Sequence, residues 1–253
     1  MYRIISGSKD TYITNRIINN KFRATDANVG LAGTLDLFKL YNESSLTGIN
    51  KPVELSRILI KFDYKDAENL LNQGKIDINS NSFKAEIHMK DVYGGQTTPA
   101  NFKIIAMPLA KNFDEGKGRD IVNFADIGSS NFVTASYSNN GTAIGWDLPG
   151  ALASGSLGAS NLDVYISGSL AGPSGTSVQS LTGEQTFTTG KEDLKINVTK
   201  AVSASLSGQL TNHGFVIAYS GSYETDEKTY FVKRFGSNNA SNVFDRPQLV
   251  IKY

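Results

Sequence analysis

The 253-residue sequence contains no cysteine. A disulfide framework and a thiolate metal site are therefore both excluded. Only two histidines occur, His88 and His213, and no His-Glu-x-x-His motif of a helical zinc protease is present. The Gly-x-Ser-x-Gly nucleophile elbow is also missing, which argues against an α/β-hydrolase. These absences disfavour several common catalytic and metal sites.

Long apolar runs are missing as well. No window approaches the roughly 18 consecutive apolar residues of a membrane-spanning helix, and residues 1–7 lack the apolar stretch of a signal peptide. We therefore expect no membrane insertion, and synthesis in the cytoplasm of the producing cell without a signal peptide. The 25 Lys/Arg and 24 Asp/Glu residues are interspersed, and no basic stripe points to nucleic acid.

The residues that are abundant favour short strands and many turns. Charged residues make up only 19% of the chain, and Gly, Ser, Asn, Thr and aromatic residues supply much of the rest. In Phe83–Met89 the odd-numbered residues are apolar and the even-numbered residues are polar, which is typical of a half-buried strand. The same period recurs at Ile58, Ile60 and Phe62; Phe102, Ile104 and Ala106; Leu162, Val164 and Ile166; Leu194, Ile196 and Val198; Phe215, Ile217 and Tyr219; and Leu249, Ile251 and Tyr253. The pattern predicts an all-β, antiparallel β-sandwich.

Helical signals are restricted to two short segments. Residues 66–73 form one candidate helix, closed by Gly74, and residues 199–206 form a better one, ended by Gly208. Both are expected to be short connectors between strands. The chain is therefore predicted to be one domain, 1–253, with an irregular, loop-rich insertion at about 108–190 that is either functional or simple elaboration.

Two acidic segments are candidate ligand sites. Asp77–Asn81 matches the first half of a calcium-binding EF-hand loop, but Ser82 and His88 replace the glycine and the glutamate that such a loop needs. A turn in which Asn and Asp side chains bond to their own backbone is the simpler interpretation. No cofactor is expected, and neither metal-binding nor other ligand-binding residues are assigned.

Carboxylates cluster in the insertion at Asp114, Glu115, Asp120 and Asp126. A glycosidase needs two carboxyl groups that face each other across a sugar. Adjacent residues of an extended chain point to opposite sides, so Asp114 and Glu115 are not expected to be that pair. A solvated or calcium-coordinating loop is the alternative, and no catalytic residue is predicted.

Several segments resemble, in order, the motifs of the DNRLRE-type domain, a jelly-roll β-sandwich similar to carbohydrate-binding modules. They are the opening strand Lys9–Ile13, the arginine-led block Leu55–Asp63, the strand Ala85–Met89, the loop Phe113–Gly118 with the later Trp146, the corner Ile196–Val202, the strand Asn212–Ile217 and the closing strand Arg246–Tyr253. The block from Tyr12 to Tyr41, with Thr25–Gly30, is similar to virion proteins of tailed bacteriophages. The resemblance implies a structural or adhesive role without catalytic residues, and the middle third departs from it.

Physical reasoning supports the closing strand. Pro247 just before it pre-sets an extended start without breaking an interior hydrogen bond. Arg246 would then lie at the rim of a sheet, where it either locks a corner carboxylate or faces solvent.

Three functional hypotheses follow. The first is a non-enzymatic virion component (decoration, collar, baseplate or fibre-associated) that docks on other virion proteins through strand edges, the Tyr219–Tyr230 loop and the Gly/Ser-rich segment, with a homo-oligomer as a further candidate. The second is a carbohydrate-binding module for a host-surface glycan, using the loop aromatics Tyr93, Tyr137 and Trp146, although a buried core residue is the simpler interpretation of Trp146. The third is a polysaccharide-degrading enzyme. The expected location is the virion.

Overall fold

The structure is a computed structural model that describes residues 1–19, 21–41, 53–92, 100–122, 128–172, 175–226 and 230–253. The strands are β1 Tyr2–Thr14, β2 Ile17–Ile18, β3 Phe22–Arg23, β4 Thr34–Tyr41, β5 Val53–Phe62, β6 Lys84–Met89, β7 Phe102–Pro108, β8 Thr134–Tyr137, β9 Ala143–Gly145, β10 Ser154–Ser156, β11 Val164–Gly172, β12 Gly175–Ser180, β13 Gly183–Phe187, β14 Leu194–Asn197, β15 Phe215–Tyr219, β16 Phe231–Gly236 and β17 Gln248–Lys252. The helices are α1 Lys65–Asn72, α2 Thr199–Leu206 and α3 Gly221–Thr225, and a 3-10 turn spans Val243–Asp245.

Two antiparallel sheets form the sandwich. Sheet I has the order β14–β6–β17–β1, and sheet II has the order β1–β5–β15–β7–β13. The long strand β1 belongs to both sheets, because residues 2–6 pair with β17 and residues 7–14 pair with β5. A break in register between Gly7 and Lys9 marks the point where β1 passes from one sheet to the other.

The topology is that of a jelly roll. The chain crosses between the sheets from β5 to β6, from β6 to β7, from β13 to β14 and from β14 to β15, whereas β7 and β13 are neighbours in sheet II. Such alternation wraps two Greek keys around one core. The prediction of an all-β, antiparallel sandwich is therefore confirmed.

Strands β4 and β16 pair with each other and extend the sandwich. The end of β4 also pairs with the start of β5. Val92 N–H donates to the Arg234 carbonyl oxygen (2.9 Å), so β16 runs beside the segment that follows β6.

The core between the sheets follows the predicted alternation. Ile58, Ile60 and Phe62 of sheet II lie in one buried cluster with Ile87 and Ile251 of sheet I. The predicted sets in β6, β7, β14 and β15 are also buried there. The period-two pattern therefore identified the inner faces of both sheets.

A second buried cluster lies on the outer face of sheet II. Leu59 and Val216 alternate with the core residues of their strands and point into this cluster. They are packed by a segment that we call the cover, the described residues of 109–164. Its main apolar contributions come from Leu109, Phe113, Ala135, Trp146, Ala151 and Val164.

The insertion differs from the irregular region expected from sequence. It contains the strands β8 to β12, and it ends before Gly183 because β13 pairs with β7 in sheet II. The alternation expected at Leu162, Val164 and Ile166 is wrong, since Val164 is buried and Ile166 is exposed. The β10–β11 register skips one residue at this position, and that irregularity changes which face the following residues occupy.

The two predicted helices are present. Helix α2 spans Thr199–Leu206 and α1 spans Lys65–Asn72, followed by Gly74 in a left-handed conformation (φ +67°). The five-residue helix α3 was not expected, and it places Glu224 in the interior. Among the described residues no helix has the length and apolar character needed to cross a membrane.

Candidate docking surface

The outer face of sheet I is exposed to solvent, in contrast to the covered outer face of sheet II. The strand register aligns its side chains in three rows across the sheet. The rows are Lys195, His88, Gln248 and Ser6; Asn197, Glu86, Val250 and Ile4; and Lys84, Lys252 and Tyr2. We call this surface the open face. Tyr2 and Ile4 are exposed apolar residues at one side of it.

The open face carries mainly positive charge. The cationic side chains on it or at its rim are Lys84, Lys90, Lys195, Arg246 and Lys252. The carboxylates there are Glu86, which lies 3.1 Å from His88 Nε2, Asp193, which lies 2.8 Å from Lys90 Nζ, and Asp245, whose charge also acts on Lys90. Because the whole chain has a net charge of only +1, this surface is more cationic than the molecule as a whole.

A shallow groove of about 140 Å³ lies at one end of the open face. It is lined by polar side chains, including His88, Lys195 and Gln248, and by the ring of Phe244. Phe244 is 82% exposed, and the 3-10 turn that presents it is capped by Asn242 Oδ1, which accepts a hydrogen bond from Phe244 N–H (3.1 Å). An aromatic ring held this openly beside hydrogen-bonding groups is suited to contact a partner.

Arg246 lies on the rim of this groove. Its Nε donates to the Ala240 carbonyl oxygen (3.1 Å) rather than to a carboxylate. The ion pair with a corner carboxylate, one of the two alternatives expected from the sequence, is therefore not the observed contact. Arg246 is an exposed rim residue, which was the other alternative.

Two segments noted in the sequence, 25–30 and 113–118, are joined by buried hydrogen bonds rather than forming a binding site. Asn28 is fully buried, and its Nδ2 donates to the carbonyl oxygens of Glu115 and Ser130 (both 2.9 Å). Its Oδ1 accepts from Gly118 N–H (3.2 Å). A Cβ atom on Gly116 (φ +77°) or on Gly118 would overlap with Asn28. The segments 25–30 and 113–118 therefore hold the cover against the sandwich.

Glu115 also reaches β1. Its Oε1 accepts a hydrogen bond from Asp10 N–H (2.9 Å), and Asp10 Oδ2 accepts from Asn238 N–H (2.6 Å). Burial raises the pKa of Asp10 to about 7 against the opposing effect of the Asn238 amide, and the nearby Glu115 charge adds to the rise. Burial likewise raises the pKa of Glu115. Asp10 is fully buried, and Glu115 is half-buried, so the Asp10 carboxyl group is closed to a sugar substrate.

The neighbouring carboxylate has a different role. Asp114 Oδ2 accepts from Tyr137 N–H (2.7 Å) and orients the β8 strand of the cover. Asp114 and Glu115 thus engage different parts of the molecule, as their adjacency predicted. Asp120 Oδ1 accepts from Val122 N–H (2.8 Å) in a local turn. Asp126 lies outside the described residues.

Among the loop aromatics proposed for sugar binding, Trp146 is only 6% exposed, and its indole Nε1 donates to the Asn131 carbonyl oxygen (2.9 Å). Trp146 is therefore a core residue of the cover, which was the simpler of its two interpretations. Tyr137 is half-buried in β8, and Tyr93 lies outside the described residues. Phe244 was not identified from the sequence, since a single aromatic in a polar turn carries no periodic signal.

The Asp77–Asn81 segment is a turn, as expected. Asp77 Oδ1 accepts from Asn79 N–H (2.9 Å), and Ser80 Oγ accepts from Ser82 N–H (3.2 Å). Within the described residues no three His, Asp or Glu side chains come together as a metal site. His213 is half-buried beside Lys61, and burial together with that charge lowers its pKa.

One buried ion pair was missed by the sequence analysis. Arg57 Nε and Nη2 donate to the two carboxylate oxygens of Glu224 (2.9 and 2.5 Å), and Arg57 Nη1 donates to the Ala151 carbonyl oxygen (2.7 Å). This arginine therefore joins β5, α3 and the cover. The arginine-led block was visible in the sequence, but its partner lies 167 positions away.

No protein-family model and no curated protein matches this chain. The resemblance to DNRLRE-type domains therefore stays a prediction.

Proposed function

We propose that the protein is a non-enzymatic structural component of a tailed-bacteriophage virion, which docks on other virion proteins through its open face. The observation that carries this proposal is the asymmetry of the two outer sheet faces. The outer face of sheet II is buried under the cover, whereas the open face presents a broad cationic surface with exposed apolar groups at its edges.

The chemistry of the open face favours an acidic protein surface as the partner. Lysines such as Lys84, Lys195 and Lys252 would steer association and fix orientation, while Tyr2 and Phe244 would supply the apolar contact area. In a symmetric particle, many copies of the protein would each make such a contact, and the combined attachment would be strong even if each contact is weak.

A docking role is also consistent with how the acidic residues named above are used. Asp10, Asp114 and Glu115 accept hydrogen bonds from backbone amides and connect parts of the fold. The hydrogen bond from Asp10 N–H to Glu115 Oε1 holds β1 against the cover. Release of reducing sugar from any polysaccharide by the purified chain would contradict the non-enzymatic part of the proposal.

The proposal is tested by incorporation into particles. Phage that lack the gene would be complemented with wild-type protein or with Lys195→Glu/Lys252→Glu, and purified particles would be assayed for the protein by quantitative mass spectrometry. We expect at least a tenfold loss of incorporation for this variant. Lys21→Glu/Lys65→Glu is the matched control, because both of these lysines are exposed and lie outside the open face.

Equal incorporation of the two variants would reject docking by the open face. Absence of the wild-type protein from purified particles would reject the virion role itself.

A second candidate function is carbohydrate binding at the Phe244 groove. The exposed ring lies beside Arg246, Gln248 and His88, a combination of stacking surface and hydrogen-bonding groups. A glycan array would compare the wild-type chain with Phe244→Ala. Glycan binding that is lost in Phe244→Ala but retained in Tyr2→Ala would favour this function, and no binding by the wild-type chain would reject it.

A further inference from the structure

Strand β12 is the outermost strand of a small sheet with the order β10–β11–β12. Its hairpin partner β11 is anchored to the sandwich core by Leu170, which is buried in the main cluster. In contrast, β12 is exposed along most of its length, and Val178 is 77% exposed. In the described part of the chain, no strand pairs with its second edge.

The hydrogen-bond register shows which backbone groups face outward. Leu181 N–H donates to the Ile166 carbonyl oxygen (3.0 Å), just beyond the paired residues Ser180 and Ser167. Directly opposed residues of an antiparallel pair alternate between hydrogen-bonded and non-hydrogen-bonded. The Val178–Ser169 pair is therefore non-hydrogen-bonded, and the N–H and C=O of Val178 point away from β11.

This edge lacks the features that usually protect an exposed strand. Proteins commonly place charged residues or proline on such edges to prevent pairing with another chain. The edge strands of the sandwich follow this rule, with Lys195 in β14 and Glu184 in β13. Residues 175–180 contain neither a charged residue nor proline. The edge of β12 is thus chemically open to another strand.

The sequence of β12 is nearly symmetric about Val178. If two copies paired antiparallel around this residue, Val178 would face Val178 of the second copy, Thr176 would face Ser180, and Ser177 would face Gln179. The two valines would form an apolar contact, and each hydroxyl side chain would face a neutral polar side chain. No like charges would face each other. The outward N–H and C=O of Val178 are also the groups that a hydrogen-bonded pair on the two-fold axis requires.

We propose that β12 pairs with β12 of a second copy of this chain, joining two small sheets into one continuous sheet across a two-fold axis. Such a contact is isologous, so it closes as a dimer. The proposal rests on the register, the exposure and the symmetry of β12, and it does not depend on the open face or on the virion role.

The first test is sedimentation equilibrium of the full chain. We expect reversible dimerisation of the wild type and at least a tenfold weaker association of Val178→Lys, which would place two lysines opposite each other. Val178→Pro, which removes an outward N–H, should weaken association to a similar extent and leave the circular dichroism spectrum unchanged. Ser169→Lys is the control, because it adds the same charge to the same hairpin on the inner strand β11.

The second test reads the register directly, since the chain has no native cysteine. Val178→Cys should form a disulfide-linked dimer under mild oxidation, because the facing Cα atoms would lie about 5.5 Å apart. Thr176→Cys and Ser180→Cys should cross-link efficiently when mixed and poorly when each is alone. A wild-type chain that stays monomeric at millimolar concentration, or dimerisation unchanged by Val178→Lys, would overturn the proposal.

Discussion

The two outer faces of the sandwich differ in how far they are buried. The outer face of sheet II lies under the cover and forms a second core around Phe113 and Trp146. The outer face of sheet I stays in water and carries lysines and exposed aromatic residues. The insertion therefore buries the outer face of sheet II, whereas the outer face of sheet I stays exposed.

The difference is present in the strand sequences. All five residues of β15 are buried, and its sequence Phe215–Tyr219 is continuously apolar, as expected for a strand packed on both faces. In β6 the residues alternate between apolar and polar, as expected for a strand packed on one face. The comparison predicts that equivalent substitutions will destabilise the covered side and have little effect on the stability of the open side.

The largest expected effect is that of Trp146→Ala. Removing this side chain should leave a cavity in the cover and lower the free energy of unfolding by about 3–5 kcal/mol. Chemical denaturation followed by circular dichroism would measure the loss. A loss below about 1 kcal/mol would mean that the cover contributes little to the fold, contrary to the comparison.

A similar loss is expected when the buried ion pair beneath the cover is broken. Arg57→Met should leave Glu224 buried without its partner and destabilise the protein by about 3–5 kcal/mol. Fluorescence of the single tryptophan and far-UV circular dichroism would follow the cover and the sandwich separately. Arg3→Gln, in the exposed pair with Asp66, is the control and should leave the transition unchanged.

The stability of the fold around β1 should depend on pH through Asp10, whose buried carboxyl group accepts a hydrogen bond from Asn238 N–H. Its pKa is raised to about 7 from 3.8, so the folded state holds this proton more tightly than the unfolded chain does. The resulting stabilisation is fully present below about pH 4 and is lost as the pH rises to about 7, with an upper limit of about 4 kcal/mol.

Asp10→Asn isolates this contribution. The unfolding free energy of the wild type minus that of the variant should fall as the pH rises from 4 to 7. The Glu115 charge acts on Asp10, and the Lys9 charge acts in turn on Glu115, so Lys9→Gln serves as a second comparison. A difference that is independent of pH would show that Asp10 is already ionised at pH 4.

The smallest effect is expected on the open face. Phe244→Ala should change the unfolding free energy by less than about 0.5 kcal/mol, because the ring is 82% exposed. The same denaturation experiment as for Trp146→Ala provides the measurement, and the two variants form a matched aromatic pair. A loss comparable to that of Trp146→Ala would show that the 3-10 turn is part of the core.

Much of the sandwich could be predicted from the sequence, because a half-buried strand must alternate polar and apolar residues along its length. The inner-face residues of β6 and β14 and the position of α2 follow from local periodicity. The phase of β11 could not be predicted, since the irregularity at Ile166 arises from its pairing with β10. The charge of the open face could not be predicted either, because its rows combine strands far apart in the chain.

The candidate surfaces also depend on contacts that the local sequence pattern does not predict. The segment 113–118 was identified as a motif of the family resemblance, but its role in holding the cover depends on Asn28, which lies some ninety positions away. Phe244 had no distinguishing pattern. The symmetry of β12 becomes meaningful only because none of the described strands pairs with its outer edge.

The amino-acid sequence alone determined the fold class, the inner faces of the strands and the exclusion of disulfides and thiolate metal sites, since these depend on residue type and local period. Only the tertiary structure decided which sheet face is covered, which acidic groups are buried and which strand edge is exposed. Those properties arise from contacts between residues that are distant in the chain, and no local pattern encodes such contacts.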